Sequence, residues 1–330
     1  MRKKKNMFNE EYLVQSDDYT AVMSDVVIPW LESVGRTKRV FGADHAPIFT
    51  VSYPAENPAA TVFIVHGFTE NAFKFSELIY SLLKNHFDVV AYDQRGHGRS
   101  WRSEKIHDHS LTHVDDFREY VRDMEIIVDT VVSKLPKPWM LFSHSMGGAV
   151  AGLYLEDHSG VFSRAVFCAP MIQADMGSMS PAVVKLLCRS AKLIGKGSSR
   201  VFVSKPYTEK EAFEPSCATG RERFDWYENI RVNRREYQNN GPSYSWTLEA
   251  ALVTKKLLSA GAPEKIDCPV RLYTAELDHT VLPEPQKEFI SRIRNGSHRI
   301  VKGAKHEIYR STDEVLFPWW HDVLSFLKEN

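Results

Sequence analysis

Short apolar runs alternate with helical patterns along most of this chain. Residues 61–65, Thr-Val-Phe-Ile-Val, form an unbroken apolar run rich in β-branched residues, which is typical of a strand buried on both faces of a parallel sheet. Similar runs at residues 87–92, 140–144, 163–169 and 268–275 predict further strands, and apolar residues at helical spacing separate most of them. This alternation predicts an α/β fold with a mostly parallel central sheet and helices on both of its faces.

The pattern changes near the start of the chain and again in its second half. An amphipathic helix is predicted within residues 8–35, and short alternating runs at residues 39–53 predict an antiparallel hairpin. From residue 171 to residue 255, helical segments, polar loops and clustered aromatic residues replace the alternation. We interpret this stretch as an inserted, mainly helical cap, between a first part of the core at 1–170 and a second part at 256–330.

A serine follows the strand at residues 140–144 in a sharp turn. The sequence Ser143-His-Ser145-Met-Gly147 is a variant of the pattern G-x-S-x-G, with serine in place of the first glycine. In that pattern a strained turn lifts the nucleophile above the sheet, and small residues on either side let the neighbouring backbones pass. We therefore predict Ser145 as a nucleophile. Ser143 still belongs to the strand and has no glycine two residues after it.

Two further strand ends supply an acid and an imidazole. Asp278 follows the strand at residues 268–275, and His306 follows a last short strand at residues 298–301. The order Ser145, Asp278, His306 is the one expected of an α/β hydrolase. In such a triad the histidine takes the proton of the serine, and the acid holds the imidazole in the reactive tautomer. The sequence therefore predicts a serine hydrolase with an inserted cap on an α/β-hydrolase fold.

Other residues compete for two of these roles. Glu276 is a rival acid, but it still falls on the strand, whereas Asp278 lies in the loop beyond it. His298 and His279 are rival bases, and the turn Gly-Ala-Lys-His306 after a strand favours His306 over both.

Backbone amides are predicted to stabilise the negative charge of a tetrahedral intermediate. His66 and Gly67 follow the strand at residues 61–65, and ligands of open α/β sheets bind outside such strand ends. The N–H groups of Phe68 and Met146 are the predicted oxyanion-hole donors. The alternative interpretation of the segment after residues 61–65 is a plain turn in which His66 is packed in the core.

Composition and the first residues of the chain indicate which partners and which cellular compartment to expect. Lysine plus arginine and aspartate plus glutamate both number 42, and this balance gives no reason to expect nucleic acid. The charged start, residues 1–5, is not followed by the apolar stretch of a signal peptide. The four cysteines are Cys168, Cys188, Cys217 and Cys268. They are widely spaced and form no C-x-x-C pair and no zinc pattern. We therefore expect reduced thiols, no metal and a cytoplasmic protein.

One stretch of the cap suggests contact with a membrane surface. No apolar run approaches the roughly 20 residues of a membrane-spanning helix, so any association is peripheral. Between Pro181 and Lys196, one predicted helix face carries the apolar residues Val184, Leu187, Ala191 and Ile194 at helical spacing. The opposite face carries the basic residues Lys185, Arg189, Lys192 and Lys196. Such a helix can rest on anionic lipid. An ordinary cap helix with a solvated charged face is the alternative.

Five motifs together resemble the monoglyceride lipase-like α/β hydrolases of the serine aminopeptidase S33 type. They are spread over most of the chain outside the cap: His66-Gly67, Asp93-x-Arg95-Gly96-x-Gly98-x-Ser100, Ser143-His-Ser145-Met-Gly-Gly148, Asp278-x-x-Val281 and Gly303-x-x-His306. The resemblance implies a serine esterase that needs no metal or organic cofactor. It also implies a single-chain acylglycerol or lysophospholipid as the substrate.

Two stretches are similar to bacterial lysophospholipases of the L-two type: Gly241-Pro-Ser-Tyr244-Ser-Trp246 and Lys302-Gly-Ala-Lys-His306-Glu-Ile308. We expect His66, Tyr244 and Trp246 to contact the substrate. The head group, the chain length, transfer to an alcohol other than water, and the oligomeric state stay open.

Two other functions compete with the lipase interpretation. A proline-type aminopeptidase of the same superfamily needs acids in the cap that bind a free amine, and Glu222, Asp225 and Glu228 are candidates. The alternative that is not an enzyme is a receptor or scaffold on a hydrolase fold. The complete set of triad residues in the sequence argues against it.

Overall fold

The computed structural model describes residues 7–329, so the charged start at residues 1–5, from which we expect no signal peptide, lies outside the described residues. These residues form one eight-stranded sheet with the order β1-β2-β4-β3-β5-β6-β7-β8. The strands are β1 (Arg36–Phe41), β2 (Pro47–Tyr53), β3 (Ala60–Val65), β4 (Phe87–Tyr92), β5 (Trp139–His144), β6 (Arg164–Cys168), β7 (Val270–Ala275) and β8 (Gly296–Val301).

The sheet is mostly parallel, as the apolar runs predict. The first two strands form an antiparallel hairpin, and β2 pairs antiparallel with β4. All later pairings, from β4 across to β8, are parallel. The carboxyl ends of β3, β5, β6 and β7 therefore meet at one edge of the sheet, where the predicted site residues lie.

Helices cover both faces of the sheet. They are α1 (Tyr19–Val22), α2 (Ile28–Val34), α3 (Ser76–Lys84), α4 (Arg118–Thr130), α5 (Met146–Asp157), α6 (Pro181–Leu193), α7 (Arg221–Arg231), α8 (Tyr244–Leu257), α9 (Pro283–Ser291) and α10 (Asp313–Lys328). A π-helical turn over Met23–Val27 joins the first two. In the described part of the chain, no helix combines the length and apolar character needed to cross a bilayer.

The core has two layers because side chains alternate across each strand. Val62 and Ile64 of β3 face a cluster that includes α1, α2, α3 and α10. Phe63 and Val65 face the opposite cluster, formed by α4, α5, α8 and α9. Strand β3 is buried along its whole length, as its unbroken apolar run predicts.

The segment between β6 and β7 carries α6, α7 and α8 and contributes no strand to the sheet in the described structure. On α6, the predicted apolar stripe is only partly correct. Val184, Cys188 and Ala191 form the buried face, which packs against α8 through Leu248. Leu187 and Ile194 of the predicted stripe are exposed instead, together with apolar neighbours: Val183, Leu186 and Leu193.

Candidate active site

The turn between β5 and α5 has the strained geometry of a nucleophile elbow. Ser145 has φ 52° and ψ −120°, a conformation that costs a residue other than glycine on the order of 1–3 kcal/mol. A Cβ at Gly147 would lie 2.2 Å from the carbonyl oxygen of Val65, so only glycine fits there. Ser143 donates its hydroxyl to the carbonyl of Val166 at 3.1 Å, and its small side chain is accommodated within the sheet.

The structure brings the three predicted triad residues together. Ser145 Oγ lies 2.8 Å from His306 Nε2, and His306 Nδ1 lies 2.7 Å from Asp278 Oδ2. An ionised carboxylate only accepts hydrogen bonds, so Nδ1 carries the ring proton and Nε2 is free to accept from the serine. The second oxygen of Asp278 accepts from the amides of Thr280 at 2.8 Å and Val281 at 3.1 Å, which fixes the carboxylate plane.

Asp278 is ionised in this environment. Burial raises the pKa of its carboxyl. The hydrogen bond from His306, the attraction to its ring when that ring is protonated, and the two amides lower this pKa by more than burial raises it. The net pKa of Asp278 is therefore below its usual value. Ser145 and His306 are buried as well, so the hydrogen bonds of this cluster act in a medium with little water to weaken them.

The rival residues lie outside this cluster. Glu276 does not lie on the strand, as was predicted, but directly after the end of β7. It is exposed and accepts from the amide of Gly303 at 2.8 Å. His298 Nε2 is hydrogen-bonded to Thr274 at 2.8 Å on the neighbouring strand, and His279 is exposed. None of them contacts Ser145 through a hydrogen bond within residues 7–329.

Two backbone amides beside Ser145 have no hydrogen-bond acceptor among the residues that the structure describes. One is the amide of Phe68, just after β3, and the other is that of Met146. Met146 is the first residue of α5, and the first amides of a helix have no acceptor within the helix. Both predicted oxyanion donors are therefore free to bind an acceptor.

His66 has a different environment from the one predicted. Its ring is fully buried. Nε2 accepts from the amide of Gln94 at 2.8 Å, and Nδ1 donates to the carbonyl of Gly67 at 2.8 Å. Burial lowers the pKa of His66, in agreement with a neutral ring. This geometry favours a role in holding two loops together over the predicted substrate contact.

Tyr244 and Trp246 lie in the first turn of α8, where Ser243 caps the helix by accepting from the amide of Trp246 at 3.1 Å. The ring centroid of Trp246 lies 4.1 Å from that of Phe68, so Trp246 packs on the loop that follows β3. Tyr244 instead lines an open apolar cavity of about 280 Å³, formed by α6, α8 and an exposed loop that includes Phe202 and Val203. Ser145 is not part of its lining.

The acids proposed for amine binding have other partners. Glu228 is buried and pairs with Arg231 at 3.2 Å, and Asp225 pairs with Lys210 at 3.0 Å. Glu222 is exposed on α7. These side chains do not converge on Ser145, and the geometry gives no support to an amine site.

Two residues of the site escape the sequence analysis. Glu70 and His144 are buried and in contact, with 2.8 Å between Glu70 Oε2 and His144 Nδ1. Their proximity to Gly67 and Ser145 along the chain is a weak signal, because nothing in the sequence indicates that they pair.

Metal binding finds no support in the described structure. Across residues 7–329, no group of three or more histidine, cysteine, aspartate or glutamate side chains is placed to hold a metal ion. The four cysteines are free thiols.

Comparison with known proteins establishes the family. The model of the family "Serine aminopeptidase, S33" matches residues 56–313 of the chain. The chain belongs to this family. The membership confirms the prediction of an α/β hydrolase of the serine hydrolase class.

Several curated members resemble the chain over different lengths. Lysophospholipase L2 of Escherichia coli strain K12 is 29% identical over 314 residues, which cover 88% of this chain and 86% of the relative. Monoglyceride lipase of Mus musculus is 34% identical over 142 residues, which cover 43% of each chain. The chain is therefore a lysophospholipase-like and monoglyceride lipase-like α/β hydrolase.

A solved structure supports the fold. A soluble variant of monoglyceride lipase from Saccharomyces cerevisiae, in complex with a substrate analogue, superposes with a TM-score of 0.70 and 19% sequence identity. The match covers 88% of this chain and 93% of the yeast chain. At this identity the similarity shows the fold alone, and it confirms the predicted fold class.

Proposed function

We propose that this protein is a serine carboxylic-ester hydrolase that releases a fatty acid from lysophospholipids or monoacylglycerols through an acyl-enzyme on Ser145. The observation that carries the proposal is the hydrogen-bonded chain from Ser145 through His306 to Asp278, with the serine on a strained turn. This arrangement provides a nucleophile, a base in the right tautomer and a fixed acid.

In the first half-reaction Ser145 Oγ attacks the ester carbonyl while its proton passes to His306 Nε2. The carbonyl oxygen becomes an oxyanion, which the amides of Phe68 and Met146 stabilise. Removing one such donor in other enzymes costs about 10²- to 10³-fold in rate. His306 then gives the proton to the leaving glycerol oxygen, the ester carbon–oxygen bond breaks, and the acyl group stays on Ser145.

In the second half-reaction a water molecule replaces the leaving alcohol. His306 takes one proton of the water, and the oxygen attacks the acyl carbonyl in the same oxyanion site. Return of the proton to Ser145 Oγ expels the fatty acid and restores the enzyme. Another alcohol in place of water would give acyl transfer by the same steps.

The substrate class follows from the relatives and from the cap. The relatives named lysophospholipase and monoglyceride lipase act, by their names, on lipids with a single ester-linked chain. We assign residues 171–255 as a cap that covers the site. In support, Trp246 packs on Phe68, and the apolar cavity beside Tyr244 offers space for part of an acyl chain.

We also propose peripheral contact of the cap with an anionic membrane surface on the cytoplasmic side. Exposed apolar side chains cluster on α6 and on the loop after it: Val183, Leu186, Leu187, Leu193, Ile194, Phe202 and Val203. Arg189, Lys192 and Lys196 are exposed in the same stretch. Apolar side chains next to cations are the composition that anionic lipid interfaces attract.

The test compares wild type with Ser145→Ala on three substrates: a lysophospholipid, a monoacylglycerol and a proline amide. We expect fatty acid release from at least one lipid, with loss of the activity in the variant and no cleavage of the amide. Cleavage of the amide alone would favour the aminopeptidase. No hydrolysis of any of the three substrates, together with no labelling of Ser145 by a fluorophosphonate, would favour a non-catalytic receptor.

A further inference from the structure

A buried pair of charged side chains lies next to Ser145 and has no part in the mechanism above. Glu70 follows β3, and His144 is the last residue of β5. His144 Nδ1 lies 2.8 Å from Glu70 Oε2, and its Nε2 lies 3.2 Å from the carbonyl oxygen of His306. Because a carboxylate and a carbonyl only accept hydrogen bonds, both ring nitrogens carry protons. His144 is therefore a cation paired with an anion.

The surroundings of Glu70 agree with this assignment. Its oxygens accept from the amide of Gly67 at 2.5 Å and from the hydroxyl of Tyr309, and Lys74 Nζ lies 3.6 Å away. Burial raises the pKa of Glu70, but His144 and Lys74 lower it well below its usual value. Burial lowers the pKa of His144, but Glu70 raises it above the usual value.

This ion pair joins the three loops of the site. Gly67, which donates to Glu70, precedes the oxyanion donor Phe68. His144 precedes Ser145 in the chain, and its ring donates to the backbone of His306. The loops lie so close together that Gly67 has no room for a side chain. A Cβ on Gly67 would lie 2.8 Å from Glu70 Oε2 and 2.8 Å from Ser145 Cβ.

We propose that Glu70 and His144 are positioning residues for the hydrolytic reaction. The pair sets the separation between the Phe68 amide and Ser145, and it fixes the loop that carries His306. The inference rests on the proposed ester hydrolysis. A misplacement of about 1 Å at a reacting group can cost on the order of 100-fold in rate, so the expected loss on breaking the pair is of that size.

The chain offers a matched control in a second buried ion pair. Glu77 of α3 accepts from Arg223 Nε and Nη2, both at 3.0 Å, and from the hydroxyl of Tyr19 at 3.1 Å. This pair connects α7 to the N-terminal segment and does not touch the site. Glu70→Gln and Glu77→Gln therefore remove the same charge from equally buried pairs, and only the first borders the reacting groups.

The test measures kcat and KM on a soluble p-nitrophenyl ester, the rate of fluorophosphonate labelling, and the melting temperature. Glutamine can keep one oxygen toward Gly67 and His144, which both donate to Glu70 Oε2, but it removes the charge that holds His144 protonated. A neutral imidazole has a single N–H, so in Glu70→Gln the ring of His144 cannot donate to both residue 70 and the carbonyl of His306. We expect kcat and the labelling rate to fall about 100-fold with KM within about threefold. In Glu77→Gln both rates stay within about twofold of wild type, while the melting temperature falls at least as far.

Equal rates in the two variants would overturn the positioning role. If Glu70→Gln does not fold, His144→Gln is measured in the same way, with the same expected losses and the same refuting result. A wild type that is labelled but cleaves neither lipid would overturn the substrate assignment, and the labelling rates would still decide the positioning role. A wild type that is not labelled would overturn both proposals.

Discussion

Replacement of Asp278 by asparagine tests whether this carboxylate orients the His306 ring for the proposed reaction. The carboxylate now accepts from the amides of Thr280 and Val281 with Oδ1 and from His306 Nδ1 with Oδ2. Asparagine has only one acceptor oxygen. Because two amides need that oxygen on one side and His306 needs it on the other, we expect the oxygen to face the amides. The NH2 group then faces His306 Nδ1.

An NH2 group can only donate, so it favours the His306 tautomer with the proton on Nε2. That tautomer cannot accept the proton of Ser145, and the reaction has to proceed through the minor tautomer. The same exchange in a serine protease lowers kcat about 10⁴-fold, equivalent to about 5 kcal/mol of transition-state stabilisation. For Asp278→Asn we therefore expect a loss of kcat on the order of 10⁴-fold with KM nearly unchanged.

The assay is steady-state hydrolysis of a soluble p-nitrophenyl ester, with thermal unfolding measured on the same samples. Glu276→Gln is the matched control, since Glu276 is an exposed acid two residues away that accepts from the amide of Gly303. We expect this control to retain wild-type kcat. A loss below about tenfold in Asp278→Asn would refute the tautomer argument and show that other contacts orient His306.

Three more predictions follow from particular contacts. Gly147→Ala places a methyl group against the carbonyl oxygens of Val65 and His66, and we expect about 1–3 kcal/mol of destabilisation and loss of activity. Gly160→Ala also strains the backbone, because Gly160 has a φ of 72°, but its Cβ meets no atom within 4 Å, so this variant should lose some stability and keep full activity. The Glu70–His144 pair stabilises the fold most between about pH 4.3 and 6.5. Its contribution is lost as pH falls through the lowered pKa of the carboxylate, or rises through the raised pKa of the imidazole. Urea unfolding of wild type and Glu70→Gln, measured from below this range to above it, should show the largest difference in stability inside the range, and a constant difference would contradict the charge assignment. Leu186→Asp on the exposed face of α6 should lower hydrolysis of vesicle-bound lipid several-fold and leave the soluble ester unaffected. Equal activity on vesicles would argue against membrane contact.

The fold and the triad can be predicted because they depend on short-range patterns. The apolar runs of β3 and β4 identify buried parallel strands, and parallel strands bring their carboxyl ends to one edge. Ser145, Asp278 and His306 each follow such an end. Local chemistry of single residues was therefore enough to propose that they meet, although 161 positions separate Ser145 from His306 along the chain.

The remaining site features depend on contacts that no local pattern encodes. Glu70 and His144 are 74 positions apart, and although His144 stands inside the elbow motif, no local pattern pairs it with Glu70. Helical spacing on α6 gives two adjacent apolar faces, and packing against α8 decides which is buried. The stripe predicted from helical spacing therefore includes Leu187 and leaves out Cys188, whereas Cys188 is buried and Leu187 is exposed.

The loop that carries His306 is also bound to the segment between β6 and β7. Lys305 Nζ donates to the carbonyl of Glu214 at 2.8 Å, and the amide of Glu307 donates to the carbonyl of Cys217 at 2.9 Å. A displacement of the segment around residue 217 would therefore disturb the position of the His306 ring. If the site opens to admit a lipid, we expect the movement on the α6 side. The exposed apolar residues of the insertion are concentrated on that side, where contact with an interface would stabilise an open form.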